Sequence, residues 1–385
     1  GFPYYVFAFL FAFFIAGKIN QLKMISLPDQ FHERYGKNAG IISALYILAL
    51  ASPAPYILSI GILLQFTTGL SFGLSLIIAT GLSLSYIWVG GFKAVVRTDI
   101  FQFGFMLLGF ILLLIFSIKT GGSFLEMTNS LPESHLDMTG GASIKYILVW
   151  FFIALWTFVD PGFYQRCAAA RSPKIAKKGI LISIAFWFIF DMLTLSTGLY
   201  AKALLTASDP LFAYPKLGAL VLPPLAYGIF ITGLLATIMS TIDSLGLISA
   251  ITFGRDILWR IQTPSGIDQE LWHLKSIQFI RKGLAVTAFI ALGLAFSVPS
   301  VVNLWYGLGS ILVPGLVLPF LLSFTENRPT SGIVLMMVCP VIFGLIWLLW
   351  GNLSNGYPFD LEPFYIGILT SGLIYALKVN FGKRN

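Results

Sequence analysis

Four carboxylates in this chain sit where apolar sequence surrounds them. Asp99, Asp160, Asp191 and Asp243 fall in or at the edge of long hydrophobic runs, while the other twelve of the 16 acidic residues fall in polar connections or at helix ends. An ionisable group inside an apolar span costs about 2.5 kcal/mol or more, so it faces a cavity or a partner. Asp243 belongs to the run Ala236–Ser244, in which Thr237, Ser240, Thr241 and Ser244 recur on one helical face with Asp243 at its edge. Hydroxyls alone read as hydrogen-bonding glue between membrane helices. A carboxylate beside them completes a set of oxygen ligands that a hard cation prefers. Asp160 precedes Pro161-Gly162 in the middle of the apolar segment Trp156–Tyr164. Proline removes a donor and glycine relaxes φ, so a helix should break there. Broken helices build substrate and ion sites in secondary transporters, and Asp160 can also N-cap the second half. Asp99, after Gly90-Gly91 and Lys93–Thr98, is a site carboxylate or an acid at a helix N-terminus favoured by the dipole. Asp191, deep in Phe188–Met192, has no partner in its own helix and reads as a proton-binding or cross-helix pairing group.

The elements that must position these residues are membrane helices. Hydrophobic residues make up 57% of the chain and charged residues 10%, against about 25% charged in a soluble domain, and mean hydropathy is +0.87. Membrane β-strands would alternate with period two, which is absent. Runs long enough to cross a bilayer predict eleven spans, near 1–17, 39–64, 70–90, 95–118, 143–164, 178–203, 219–253, 281–298, 302–324, 331–350 and 362–379. The longest polar connections are 119–142 and 255–280. The chain opens on Gly1 and an immediate apolar run with no charged segment before it, so no signal peptide is expected. The expectation is that it starts inside a longer protein.

The net charge of +8 is not a nucleic-acid signal. With the segment after the first span placed in the cytoplasm, one side holds 20 of the 24 basic residues, from Lys18 and Lys23 through Arg166, Arg171, Arg255, Arg260 and Arg328 to Lys383 and Arg384. The other side holds Lys119, Lys145, Lys202 and Lys216. The positive-inside rule then puts the C-terminus in the cytoplasm of a multi-pass protein of a bacterial-type inner membrane. Enzyme chemistry finds no support either. Cys167 and Cys339 lack metal or redox spacing, and His32, His135 and His273 are isolated. Gly69–Gly73 matches the nucleophile-elbow pattern without the strand–turn–helix context that chemistry needs. No organic cofactor, nucleic acid or obligate protein partner is expected; the partners are the bilayer and a small solute.

Three segments resemble a known family. Gly90-Gly91-Phe92-Lys93-Ala94-Val95-Val96-Arg97-Thr98-Asp99-Ile100-Phe101-Gln102, Gln165-Arg166-Cys167-Ala168-Ala169-Ala170-Arg171-Ser172 followed by Ala176–Gly179, and Met239-Ser240-Thr241 with Asp243-Ser244 followed by Arg255-Asp256-Ile257 are similar, in order and spacing, to signatures of the sodium:solute symporter family. The resemblance implies an all-α, LeuT-like core of two inverted five-helix repeats. Residues 1–118 would be repeat one without its first, broken helix, 119–142 an extracytoplasmic loop, 143–324 repeat two and 325–385 peripheral helices. It implies sodium as coupling ion at the Ser240 and Thr241 hydroxyls and the Thr237 carbonyl. Asp99, Ser240, Asp243 and Ser244 match a second ion site found in some members. Asp160, with Pro161 and Gly162, and Tyr306, beside Trp305, match substrate positions. Val6 and Phe9 replace polar sugar contacts, so an amino acid, amine or carboxylate fits better than a sugar. The expected activity is symport by alternating access. Proton coupling through Asp243 or Asp191 stays open as an alternative, as does a transporter-derived sensor.

Overall fold

The computed structural model describes residues 1–385 other than 138, 206–209, 263–268, 299, 326–331, 355 and 383–385. At 84, 86, 87, 89–92, 94, 269–274, 276 and 379–382 it describes the backbone alone. Arg328, Lys383 and Arg384 of the basic inventory therefore lie outside the described residues, as do the side chains of His273 and of Gly90-Gly91-Phe92 and Ala94 in the first motif.

The described chain is helical almost throughout. The first expected span is a bent pair, α1 (Phe2–Phe14) and α2 (Ala16–Leu22), meeting at 48°. A short helix α3 (Leu27–Tyr35) follows, with a capping box in which Ser26 accepts from the Asp29 N–H. The second span divides into α4 (Lys37–Leu50) and α5 (Ala54–Thr68). Pro55 has no N–H to offer the carbonyl four residues back, that of Ala51. The Ser249 hydroxyl donates to that carbonyl instead, at 2.7 Å.

The third and fourth spans, expected as separate helices, follow each other in one helical run without an intervening loop, α6 (Phe72–Gly121). Its two arms nevertheless run in opposite directions. After α7 (Phe124–Asn129) come α8 (Ile144–Ile153), a 3-10 stretch Ala154–Val159, and α9 (Pro161–Ala169). The next helices are α10 (Pro173–Leu204), α11 (Ala213–Val221) and α12 (Pro224–Ile251). A π-helical stretch, Thr252–Trp259, runs on into α13 (Arg260–Gln262). The last helices are α14 (Gln269–Ser297), α15 (Val301–Leu322), α16 (Ile333–Leu353) and α17 (Pro363–Gly382). The first arm of α6 is antiparallel to α14, since Phe72 meets Phe296 at 6.2 Å and Trp88 meets Arg281 at 5.7 Å. Helix α14 is antiparallel to α12, because Gly283 abuts Ala250 and Gly254 abuts Phe279. The second arm is antiparallel to α12, since Phe105 abuts Gly233 and Gly109 abuts Phe230. The first arm is thus parallel to α12 and the second antiparallel, so the chain reverses between them, around the Gly-Gly motif.

Eight described helical segments are long and apolar enough to cross a membrane, nine with the bent pair. The shorter apolar stretch Phe72–Ser83 and α17 cover the two remaining expected spans. Close backbone approach fixes α12 in the middle. A Cβ on Gly233 would stand 2.4 Å from the Phe105 carbonyl oxygen, and one on Gly283 would stand 2.3 Å from that of Ala250. The largest buried cluster joins α1, α2, α8, α9, α15 and α16 through residues such as Phe11, Tyr164, Phe320 and Met337. The middle of helix α10 lies on the outside of the bundle, with side chains such as Ile182, Phe188 and Leu195 exposed, while Ile180 and Tyr200 towards its ends are buried.

Candidate functional site

The site is built around the middle of α12 and the break before α9. On α12 the Thr237 hydroxyl donates to the Gly233 carbonyl at 2.8 Å. The Ser240 and Thr241 hydroxyls both donate to the Thr237 carbonyl, at 3.1 and 3.3 Å. Three oxygens of one helical turn thus gather at a point, all on half-buried residues. A hydroxyl that spends its hydrogen on the backbone keeps two lone pairs. The donor set is neutral oxygen throughout, which fits a hard monovalent cation.

Asp160 ends the 3-10 stretch and N-caps α9. Its Oδ1 accepts the Phe163 N–H at 2.7 Å, and Pro161 takes the first helical position, where a missing N–H costs nothing. The expected break is therefore present, and Pro161 and Gly162 are buried within it. At the other end of α9, the Asn20 side-chain amide on α2 donates to the Cys167 and Ala170 carbonyls, at 3.0 and 2.7 Å. That bond anchors α9 across from the bend of the first pair. Tyr4 of α1 and Tyr56 of α5 lie within electrostatic reach of the Asp160 carboxylate. The Trp305 ring packs on Tyr56 at 5.8 Å. Tyr4, Tyr56 and Trp305 are thus the aromatic residues on the Asp160 side of the bundle. Tyr306 points elsewhere: its ring packs on Trp150, and its hydroxyl donates to Glu362 ahead of α17.

Of the four residues expected at a second ion site, the structure links Ser244 and Asp99, and it does so through Arg166. Asp243 is fully buried. Ser244 and Asp99 both face Arg166 of α9, whose Nη2 donates to the Ser244 hydroxyl at 2.9 Å and lies 3.5 Å from Asp99 Oδ2. Asp99 Oδ1 is buried without a hydrogen-bond partner among the described residues. Asp191 is separate from both groups. It accepts the Tyr5 hydroxyl, pairing α10 with α1.

Sequence reasoning placed Asp29 and Asp256 among the loop and helix-end acids, and the structure buries both. Arg255 bonds Asp29 at 2.9 Å and Asp256 at 2.7 Å, while Arg260 bonds Asp29 and lies 3.9 Å from Asp256. Two acids and two guanidiniums thus tie α3 to the end of the long α12 segment. The visible signal was Arg255-Asp256 inside a family motif; its partner stands 226 residues away. Arg166 also sat in a quoted motif, and its i to i+4 spacing from Gly162 was the signal that it reaches the break.

A family model described as the sodium:solute symporter family matches residues 3–337. The osmoregulated proline transporter OpuE of Bacillus subtilis (strain 168) is 25% identical over 372 residues, 92% of this chain and 74% of that protein. Sodium/proline symporter 2 of Staphylococcus saprophyticus is 24% identical over 345 residues, 85% of this chain and 66% of that one. Among solved structures, a substrate-bound, outward-open Na+-coupled sialic acid symporter aligns with a TM-score of 0.79 at 16% identity, over 98% of this chain and 82% of that one. Inward-facing Mhp1 aligns at 0.52 and 14% identity, over 99% and 91%. These likenesses carry the fold, a helical transporter bundle.

Proposed function

Because this chain belongs to the sodium:solute symporter family, we propose that it is the transporting body of a sodium-coupled symporter for a small amino acid or amine. Sodium binds at the Thr237 carbonyl and the Ser240 and Thr241 hydroxyls, and a second cation is served by Asp99, Ser240, Asp243 and Ser244. Substrate binds at the break Asp160-Pro161-Gly162, where the carboxylate meets an ammonium group and Tyr4, Tyr56 and Trp305 cover its apolar part. Two relatives with proline transport in their names favour an amino acid over a sugar, and Val6 and Phe9 offer a sugar no hydrogen bonds.

Ion binding selects one conformer of an alternating-access cycle and so makes the substrate position available on one side at a time. The membrane potential contributes about 2.3 kcal/mol per charge per 100 mV to the cycle. No bond is made or broken, which agrees with the family's being transporters and not enzymes.

The observation that carries this reading is the convergence of three α12 oxygens within 3.3 Å. Its test is uptake of labelled proline, other amino acids and amines into proteoliposomes holding the full-length protein, with and without an inward sodium gradient. Ser240→Ala and Thr241→Ala should each raise the half-saturating sodium concentration about tenfold, the loss of one charge-assisted ligand worth about 1.4 kcal/mol. Uptake that ignores sodium but follows a proton gradient would refute the ion assignment.

A further inference from the structure

The Arg166 guanidinium stands where the second cation would have to stand. It is within 2.9 Å of the Ser244 hydroxyl and 3.5 Å of Asp99 Oδ2, two of the four oxygen-bearing groups of that site. A guanidinium offers only donors and carries a fixed positive charge, so it fills part of the space beside the Ser244 hydroxyl and Asp99 Oδ2 that a cation would need. Two cations a few ångströms apart in this half-buried site also repel each other.

We propose that Arg166 is a tethered cation that occupies the second ion position and has to withdraw before an ion can enter it. The inference rests on reading Asp99, Ser240, Asp243 and Ser244 as an ion site, and it adds a residue which decides whether that site is open. The side chain can leave, since it is 41% exposed and its Asp99 partner 27%. It also has somewhere to go. Its Nη1 is 3.5 Å from the Gly162 carbonyl. A Cβ built on Gly162 would lie 3.2 Å from Nη1 and 3.1 Å from Asp160 Oδ1, so the guanidinium and the substrate-side carboxylate flank the same glycine.

Arg166 therefore stands between two acids, one on the ion side and one on the substrate side. An ion that takes Asp99 and Ser244 turns the guanidinium towards Asp160. A substrate ammonium that takes Asp160 leaves it to Asp99. Ion entry and ammonium binding then compete through one side chain, and the charge at position 166 sets both the number of ions bound and the preference for a substrate's charge. The geometry makes this a specificity-determining role, exerted through Asp99 and Asp160.

The test is sodium-dependent thermal stabilisation of the purified full-length protein, titrating sodium chloride against choline chloride at constant ionic strength. Arg166→Gln and Arg166→Met, two neutral variants of different polarity, keep the measurement available if one of them does not fold. Both should lower the half-effective sodium concentration about tenfold and steepen the titration towards two ions, while Arg166→Lys, which keeps the charge, should track the wild type. A normal wild-type response with unchanged or weakened sodium dependence in both neutral variants overturns the tethered-cation assignment and leaves the symporter reading standing. No sodium response in any of the four proteins refutes the sodium reading itself, and this proposal with it. A response in the neutral variants alone supports the guanidinium as the block.

Discussion

Replacing Asp29 with Asn removes the acid that two buried guanidiniums share. Arg255 Nη1 lies 2.9 Å from Asp29 and 2.7 Å from Asp256, and the side chains of Arg255 and Asp29 are only 14% and 11% exposed. At an effective dielectric of about 20, the lost attraction between Arg255 and Asp29 is about 6 kcal/mol. The two carboxylates can be no farther apart than the two bonds end to end, about 5.6 Å, so the substitution also relieves about 3 kcal/mol of repulsion. For the Arg255 contact alone the difference is about 3 kcal/mol, the usual cost of breaking a buried ion pair from one side, and the loss of the Arg260 contact adds to it. Equilibrium unfolding in mixed micelles should show that loss for Asp29→Asn and a similar one for Arg255→Gln. The double variant should lose less than the two together, with a coupling of about 2 kcal/mol. Additivity within about 0.5 kcal/mol would mean that water, not Arg255, stabilises Asp29, and would refute the reasoning.

Two further outcomes follow from packing and titration. Gly233→Ala puts a methyl group against the Phe105 carbonyl, where the backbone itself must move; we expect a loss of about 1–3 kcal/mol, seen as a lower Tm, whereas Gly228→Ala, in the same helix but facing open space, should keep or raise Tm. Burial, and then the Arg260 guanidinium, hold the His32 imidazole below its ordinary value of 6.5. The unfolded chain therefore takes up the proton first as pH falls, so His32 contributes stability that is present above about 6.5 and declines below it. His32→Gln should flatten the fall in Tm between pH 7.5 and 5.5, and an unchanged slope would assign that fall to other groups.

Much of this architecture is legible in apolar runs alone, because a membrane helix must satisfy its own backbone and therefore declares its length in sequence. Asp160-Pro161-Gly162 announced its break for the same reason: the missing proline donor has a fixed local consequence. The division of the second span at Ala51 was equally local, written in Pro53 and Pro55, yet the run 39–64 reads as unbroken when hydropathy is the only guide. What sequence could not place were side chains whose meaning depends on a distant partner. Arg166 counts as one more basic residue until α12 and α6 bring Ser244 and Asp99 to it. Asp29 looks like a loop acid until Arg255 and Arg260 arrive from the far end of the chain. Tyr306, expected near the substrate by its motif position, has a partner that sequence could not supply either, the Glu362 carboxylate.

The π-helical stretch Thr252–Trp259 has a consequence for how such a chain tolerates insertion. A π turn accommodates one residue more than an α turn, and each residue carries about 100° of rotation around the helix. Upstream, Thr237 to Ser244 carry the oxygens proposed to bind the ion; within the stretch and just after it, Arg255, Asp256 and Arg260 present the charges of the Asp29 clasp. The surplus residue acts as a phase shifter between two faces that α-helical periodicity alone would not align with their separate targets. Winding the same residues as a regular α-helix would rotate the clasp about 100° away from α3, whereas deleting one residue would restore a regular helix with the clasp still in phase. A lineage could thus gain or shed one codon in this stretch without turning the clasp from α3 and without touching the residues proposed to hold the ion.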